Sequence, residues 1–243
     1  MTRRPAALVL LLALLIASVA GCSKDDPPEP VRGSTTLSVD GLDVEAIVRT
    51  PSAAAFIDGK PLTVLFLHGQ SYTSRVWFEQ GILEKVADRS GFRSVAIDLP
   101  GYGQTPERAD DSGTDGEWLE ALIDELGGPE YVAVVSPSMS GRFSLAFLEQ
   151  RPEAKLLGFV PVAPVGIDDF ARPDDAAAIP AVSIWGSEDP AYTPERAERL
   201  LTQLRSGADG STEIMEGAGH ACYEDDPTEF TDIVVAFLDR LHD

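Results

Sequence analysis

Short apolar runs recur along this chain with helical patterns between them, and that alternation most narrows what it can fold into. Residues 63–67, 94–97, 131–135, 157–164 and 181–185 are runs dominated by Val, Ile, Leu, Phe and Ala, and 212–215 reads as a last short strand. Continuous runs of this length read as strands covered on both faces of a sheet. Pro161 is a mild objection to the fourth, because proline cannot donate to a ladder. Ser74 to Arg89 reads as a helix, with Gly91 as its closing residue. Trp118, Leu119, Leu122, Ile123 and Leu126 fall on the helix period, and Gly127-Gly128-Pro129 ends that helix. Phe143, Leu145, Phe147 and Leu148 mark another, which stops before Pro152. Thr193 and Pro194 open a helix through Leu204. Asp226-Pro227-Thr228-Glu229 is a capping box for a last helix carrying Phe230, Ile233, Val234, Phe237, Leu238 and Leu241. Ahead of all this, residues 34–50 alternate apolar and polar around Asp40-Gly41, a hairpin. The predicted fold is α/β, a mainly parallel sheet with helices on both faces, over residues 34–243.

The run 131–135 leads into Ser136-Pro137-Ser138-Met139-Ser140-Gly141 and then a helix. Strand, sharp turn and helix, with a serine at the tip, are the context of a nucleophile elbow. The usual pattern is G-x-S-x-G, with small residues two positions either side of the nucleophile. Here serines stand at both. Ser140 as nucleophile would put Arg142 in a tight position, and Ser136 would put Val134 there. Only Ser138 has small residues on both sides. An ordinary serine-rich turn would share this pattern.

Two further polar residues fall at carboxyl ends of expected strands, where open α/β sheets place their ligands. They are Asp189, after 181–185, and His220, after 212–215. Each alone could be a loop residue. Together they give the order Ser…acid…His of a hydrolytic triad. His220 would take the Ser138 proton as base, and Asp189 would hold the imidazole. The backbone N–H groups of Met139 and Gln70 would receive the oxyanion, Gln70 lying in the loop after the run 63–67. Asp168 or Asp169 could be the acid instead. Asp98 is expected to organise its own loop, and His68 to be structural. Ser71 could line the pocket or cap the next helix, and Tyr72, Phe170 and Tyr192 are candidate pocket walls. Cys222 near His220 is read as packing, since no elbow would present its thiol.

Residues 1–33 do not belong to the α/β pattern. Arg3 and Arg4 precede an apolar run, Ala6 to Ala20, which ends at Val19-Ala20-Gly21-Cys22. This is the layout of a secretory signal peptide over 1–21, too short for a comfortable membrane span. Small residues directly before a cysteine resemble the bacterial lipobox, with Cys22 lipidated. The expected product is an exported protein held to a bacterial membrane by lipid alone, facing the periplasm or cell exterior. Residues 22–33 then form a proline-rich tether of about 3 Å per residue. Cys22 and Cys222 are the only cysteines, so no intramolecular disulfide is expected. Metal-type Cys/His spacing is absent from the sequence, and no cofactor is expected. The formal charge of −21 falls to −23 when residues 1–21, with two arginines and no acids, are removed. Nucleic acid is excluded as a partner, and so is electrostatic attraction to anionic lipid. A monomer is the default.

These residues as a set resemble the α/β-hydrolase superfamily and, more narrowly, the α/β-hydrolase-domain-containing protein 14 family. The similarity spans about residues 62–240. Its carriers are His68-Gly69 before Trp77, residues 96–101, the Ser-Pro-Ser-Met-Ser-Gly elbow at 136–141, residues 158–164, and residues 217–220 with Cys222-Tyr223. The resemblance implies a single-domain serine hydrolase with Ser138, Asp189 and His220 as its triad, acting on small acyl groups. The lipobox, tether and acidity depart from that family, and export would separate the chain from cytosolic acyl acceptors such as coenzyme A. Caps in this fold are commonly inserted after the strand that follows the elbow helix. Here that connection, 166–179, is too short for a cap domain, so a shallow site for short acyl esters, thioesters or amides is expected. An acyltransferase or perhydrolase with the same triad is a second reading. A non-catalytic binding lipoprotein on the same fold is a third.

Overall fold

A computed structural model describes residues 33–109 and 112–241. The segments read as a signal peptide over 1–21 and as a tether, up to residue 32 and with Cys22, lie outside the described residues. The main sheet has eight strands, in the order β1 (Ser34–Val39), β2 (Leu42–Arg49), β6 (Arg93–Ile97), β5 (Thr63–Phe66), β7 (Val132–Pro137), β8 (Gly158–Val162), β9 (Ala181–Gly186), β10 (Gly210–Met215). β1 and β2 form the expected hairpin and β2 runs antiparallel to β6, while the rest are parallel. A small hairpin, β3 (Phe56–Ile57) with β4 (Lys60–Pro61), stands apart.

Two cores explain why the strand runs are apolar throughout. Leu65, Leu67, Val132 and Val134 join a cluster on one face of the sheet. Val64, Phe66, Ala133 and Val135 join another on the opposite face. The first cluster takes Trp118, Leu119 and Leu122 of α3 (Asp115–Glu125), Phe143 and Leu148 of α4 (Gly141–Gln150), and Leu200 and Leu204 of α5 (Pro194–Leu204). The second takes Trp77 of α1 (Arg75–Glu79), Leu83 and Val86 of α2 (Ile82–Ser90), and Phe230 and Val234 of α7 (Pro227–Asp239). Each fully buried Leu, Val or Phe stabilises the fold by about 1.5–3 kcal/mol relative to exposure, before chain entropy is counted. The caps fall where the sequence places them, but the box at Asp226 is only half formed, because Asp226 N–H donates to Cys222 O and not to Glu229. Thr193 caps α5 by accepting from Arg196 N–H, and Asp226 caps α7 by accepting from Thr228 and Glu229 N–H.

One expected element is corrected. The helix read from Ser74 to Arg89 is two helices, α1 and α2, because Gly81 sits in the left-handed region at φ +68°. A residue in that conformation breaks the helical ladder, and glycine adopts it without cost. Pro161 has a specific accommodation. Phe159 N–H donates to Pro180 O, and Ala163 N–H to Ile184 O. The alternate position between them, Pro161, has no N–H to give. β8 is therefore a central strand with one donor missing on its β9 side.

Candidate active site

The site lies at the carboxyl ends of the parallel strands. Ser138 follows β7 and has φ +48°, the left-handed region, with a side chain that is not glycine. Such a conformation costs on the order of 1–3 kcal/mol and persists where surrounding structure imposes it. The imposition is visible. Val165 N–H, from the loop after β8, donates to Ser138 O at 3.0 Å. Gly141 opens α4 against the same loop, where a Cβ would collide with Val165 O. Behind the turn, Ser136, Ser140 and Ser144 are buried and linked by hydroxyl contacts.

His220 reaches Ser138 from the loop after β10. Its Nε2 lies 2.8 Å from Ser138 Oγ, and its Nδ1 lies 2.8 Å from Asp189 Oδ2. The partners fix the proton. A carboxylate oxygen only accepts, so Nδ1 carries the hydrogen and Nε2 is left to accept from the Ser138 hydroxyl. Asp189 is held in turn, its Oδ1 accepting from Ala191 N–H at 2.8 Å and its side chain only 1% exposed. The His220 side chain is 45% exposed, so the serine and imidazole face an open surface. Residues 163–180, between β8 and β9, form no helix or strand that could cap them.

The other acids and histidine have different work. Asp168 is 74% exposed and pairs with Arg196 on α5, away from His220. Asp98 accepts from Ser74 N–H and Oγ–H and from Gln104 N–H, tying its own loop together. His68 Nδ1–H donates to Gly69 O, while Nε2 accepts from Leu99 N–H. That ring is neutral and fully engaged, and burial lowers its pKa. Cys222 is buried, and burial with the Asp225 carboxylate nearby pushes its thiol pKa up to about 12.

The candidate pocket walls divide. Tyr72 borders the site, because a methyl group placed on Gly69 would lie 3.5 Å from the Tyr72 ring and 3.8 Å from Ser138 Cβ. The Tyr72 hydroxyl donates to Glu224 at 2.5 Å, and burial with that partner raises its pKa to about 12. Ser71 lines, with Tyr72 and Glu224, an adjacent cavity of about 230 Å³. It does not cap α1, whose N-cap is Ser74. Phe170 is corrected: it is 2% exposed and belongs to the core under α5, so it offers no wall to a ligand. Tyr192 is also displaced. Its ring tilts against Trp185 and lines a groove between α5 and β10 that contains none of Ser138, His220 or Asp189. Two site neighbours escaped the pocket reading. Tyr102 stacks edge-on against His68 and points its hydroxyl at Met139 Sδ, 3.8 Å away. Tyr223 sits in α6 (Cys222–Asp225) beside Gly69. Aromatic rings packed in a core give no sequence signal that one polar tip reaches a site.

A mainly parallel sheet with a strained serine turn after a central strand, met by a histidine from another strand, defines an α/β hydrolase. The model of the α/β hydrolase fold matches residues 63–178. The chain is 38% identical over 186 residues to the human protein named "Putative protein-lysine deacylase ABHD14B", covering 74% of this chain and 84% of that one. It is 39% identical over 186 residues to Protein ABHD14A of Danio rerio, covering 74% and 65%. The chain belongs to the ABHD14 family of α/β hydrolases. Solved structures share the fold at low identity. The esterase RhEst1 from Rhodococcus sp. ECU1013 aligns with TM-score 0.66 at 17% identity, over 86% of this chain and 99% of that one. A thermophilic esterase from Thermogutta terrifontis aligns with TM-score 0.62 at 17% identity, over 86% and 99%.

Proposed function

We propose that this chain is a serine hydrolase that cleaves small acyl groups from esters, thioesters or amides, exported and anchored by lipid at Cys22. The observation that carries the chemistry is the hydrogen-bonded series Ser138 Oγ, His220 and Asp189, at 2.8 Å for each link. A hydroxyl is a weak nucleophile at neutral pH and needs a base in contact. Ser138 Oγ attacks the acyl carbonyl carbon while His220 Nε2 takes its proton. The carbonyl oxygen gains the charge and is received by the N–H groups of Met139 and Gln70. Collapse expels the leaving group, which takes the proton from His220. Water then attacks the acyl-enzyme by the same route and restores Ser138. Asp189 stabilises the imidazolium at both stages without taking its proton.

The uncapped, open site favours short acyl groups. The name of the human ABHD14B relative supports an amide of an amine as one substrate class. The anchor rests on the sequence at 19–22, and it would present the site outside the cytoplasm, away from coenzyme A. Fluorophosphonate labelling of residues 23–243 tests the chemistry. Labelling should be lost in Ser138→Ala and in His220→Ala; a folded wild-type domain that stays unlabelled overturns it. Fatty-acid incorporation that survives Cys22→Ala would overturn the anchor.

A further inference from the structure

Tyr223 is 2% exposed, three residues beyond His220. Its ring packs against Trp77, Phe230 and Tyr72, at centroid distances of 4.6, 5.9 and 5.8 Å. A phenylalanine would make the same contacts. The hydroxyl is the part that needs a reason. The hydroxyl of a tyrosine with a buried ring normally finds a partner. Among the described residues the Tyr223 hydroxyl makes no hydrogen bond, and its oxygen is not one of the enclosed unpaired atoms, so it opens onto accessible space.

Its position supplies the reason. A methyl group on Gly69 would lie 3.7 Å from Tyr223 Oη and 3.8 Å from Ser138 Cβ. The hydroxyl and the nucleophile-bearing carbon therefore border one small space, which the absence of a side chain at Gly69 keeps open. The next residue, Gln70, supplies one of the proposed oxyanion donors.

We propose that the Tyr223 hydroxyl is a third donor in the oxyanion site, hydrogen-bonding the acyl carbonyl oxygen as it takes up charge. This rests on the serine-hydrolase reading above. Burial, with Tyr72 and Glu224 beside it, raises the phenol pKa, so the group stays protonated and acts only as a donor. A donor that strengthens its bond as charge develops acts on the transition state more than on bound substrate.

Tyr223→Phe in the purified protein tests this, with hydrolysis of short-chain p-nitrophenyl esters as the readout. The expected result is a fall in kcat of about 10–100-fold, with KM changed less than about twofold. The melting temperature should not fall, because the lost hydroxyl has no protein partner. An unchanged kcat overturns the proposal. So does a kcat loss matched by a fall in melting temperature, which would mark the hydroxyl as structural. If the wild type neither hydrolyses esters nor takes the fluorophosphonate label, the hydrolase reading itself fails and takes this one with it.

Discussion

Ser136 Oγ lies 2.7 Å from Ser144 Oγ, beneath the turn that presents Ser138. The direction of these bonds follows from the end of the series. Ser140 Oγ–H donates to Pro137 O at 2.8 Å, so Ser140 can only accept from Ser136, which lies 3.0 Å away. Ser136 has then used its hydrogen and accepts from Ser144, whose single hydrogen also has Ser140 O within reach at 3.3 Å. Three hydroxyls thus end on the carbonyl that precedes the nucleophile. The serines that stand where glycines are usual form the bracing of the elbow.

That polarity predicts an order of costs. Ser140→Ala removes the donor to Pro137 O and the acceptor for Ser136, so it should cost about 1–3 kcal/mol of stability. Ser144→Ala removes the head of the series and its long 3.3 Å contact to Ser140 O, and should cost about 1 kcal/mol. Urea denaturation of both variants checks the order. Equal costs would mean that the hydroxyls do not act as a directed series.

Asp189→Asn should lower kcat about 10³–10⁴-fold with little change in KM, because an amide turned toward His220 Nδ1 favours the wrong tautomer. Asp168→Asn, at a 74% exposed position paired with Arg196, should leave kcat within about twofold. Steady-state kinetics of the two variants decide which carboxylate serves the histidine.

Much of this architecture could be read from residue patterns, and the limits have physical causes. The parallel strands were legible because burial on both faces forces continuous apolar runs. Ser138 and Asp189 were legible because each follows such a run, and His220 because it follows the last strand, the half-exposed edge strand β10, in the order Ser…acid…His. The helix break at Gly81 was not, since glycine also occurs within helices and only its φ reveals the break. Phe170 and Tyr223 are both buried aromatics; whether a ring ends in a core or touches a site depends on packing between distant segments. Pro161 looked like an objection to a central strand until the ladder showed which single donor it lacks.

Cys222 should be inert in the folded protein. With its pKa raised to about 12, the thiol is protonated throughout the neutral range, and only the thiolate reacts. Raising the pKa means the proton is lost only as pH climbs toward 12, so reactivity rises late. At pH 8, iodoacetamide should modify Cys222 about a thousandfold more slowly in the native than in the unfolded protein. Mass analysis of the peptide containing Cys222 reads the rate. Fast native alkylation at pH 8 would contradict the burial.

The acid loop and the histidine loop are joined at Gly186. Ser187 N–H donates to Met215 O, and Glu188 N–H to Ala218 O, so the segment carrying Asp189 is zipped to the segment carrying His220. A Cβ on Gly186 would collide with the carbonyl oxygens of Ala218 and Gly219. Those are backbone atoms and cannot rotate away, so Gly186→Ala must push the two loops apart. The variant should lose about 2 kcal/mol or more of stability. Its kcat should also fall where the protein is still folded, because a shift of about 1 Å between base and nucleophile can cost about a hundredfold. Denaturation and kinetics measured at one temperature separate the two losses. A stable variant with normal kcat would mean that the loops tolerate separation, and that contact between Asp189 and His220 is not maintained through Gly186.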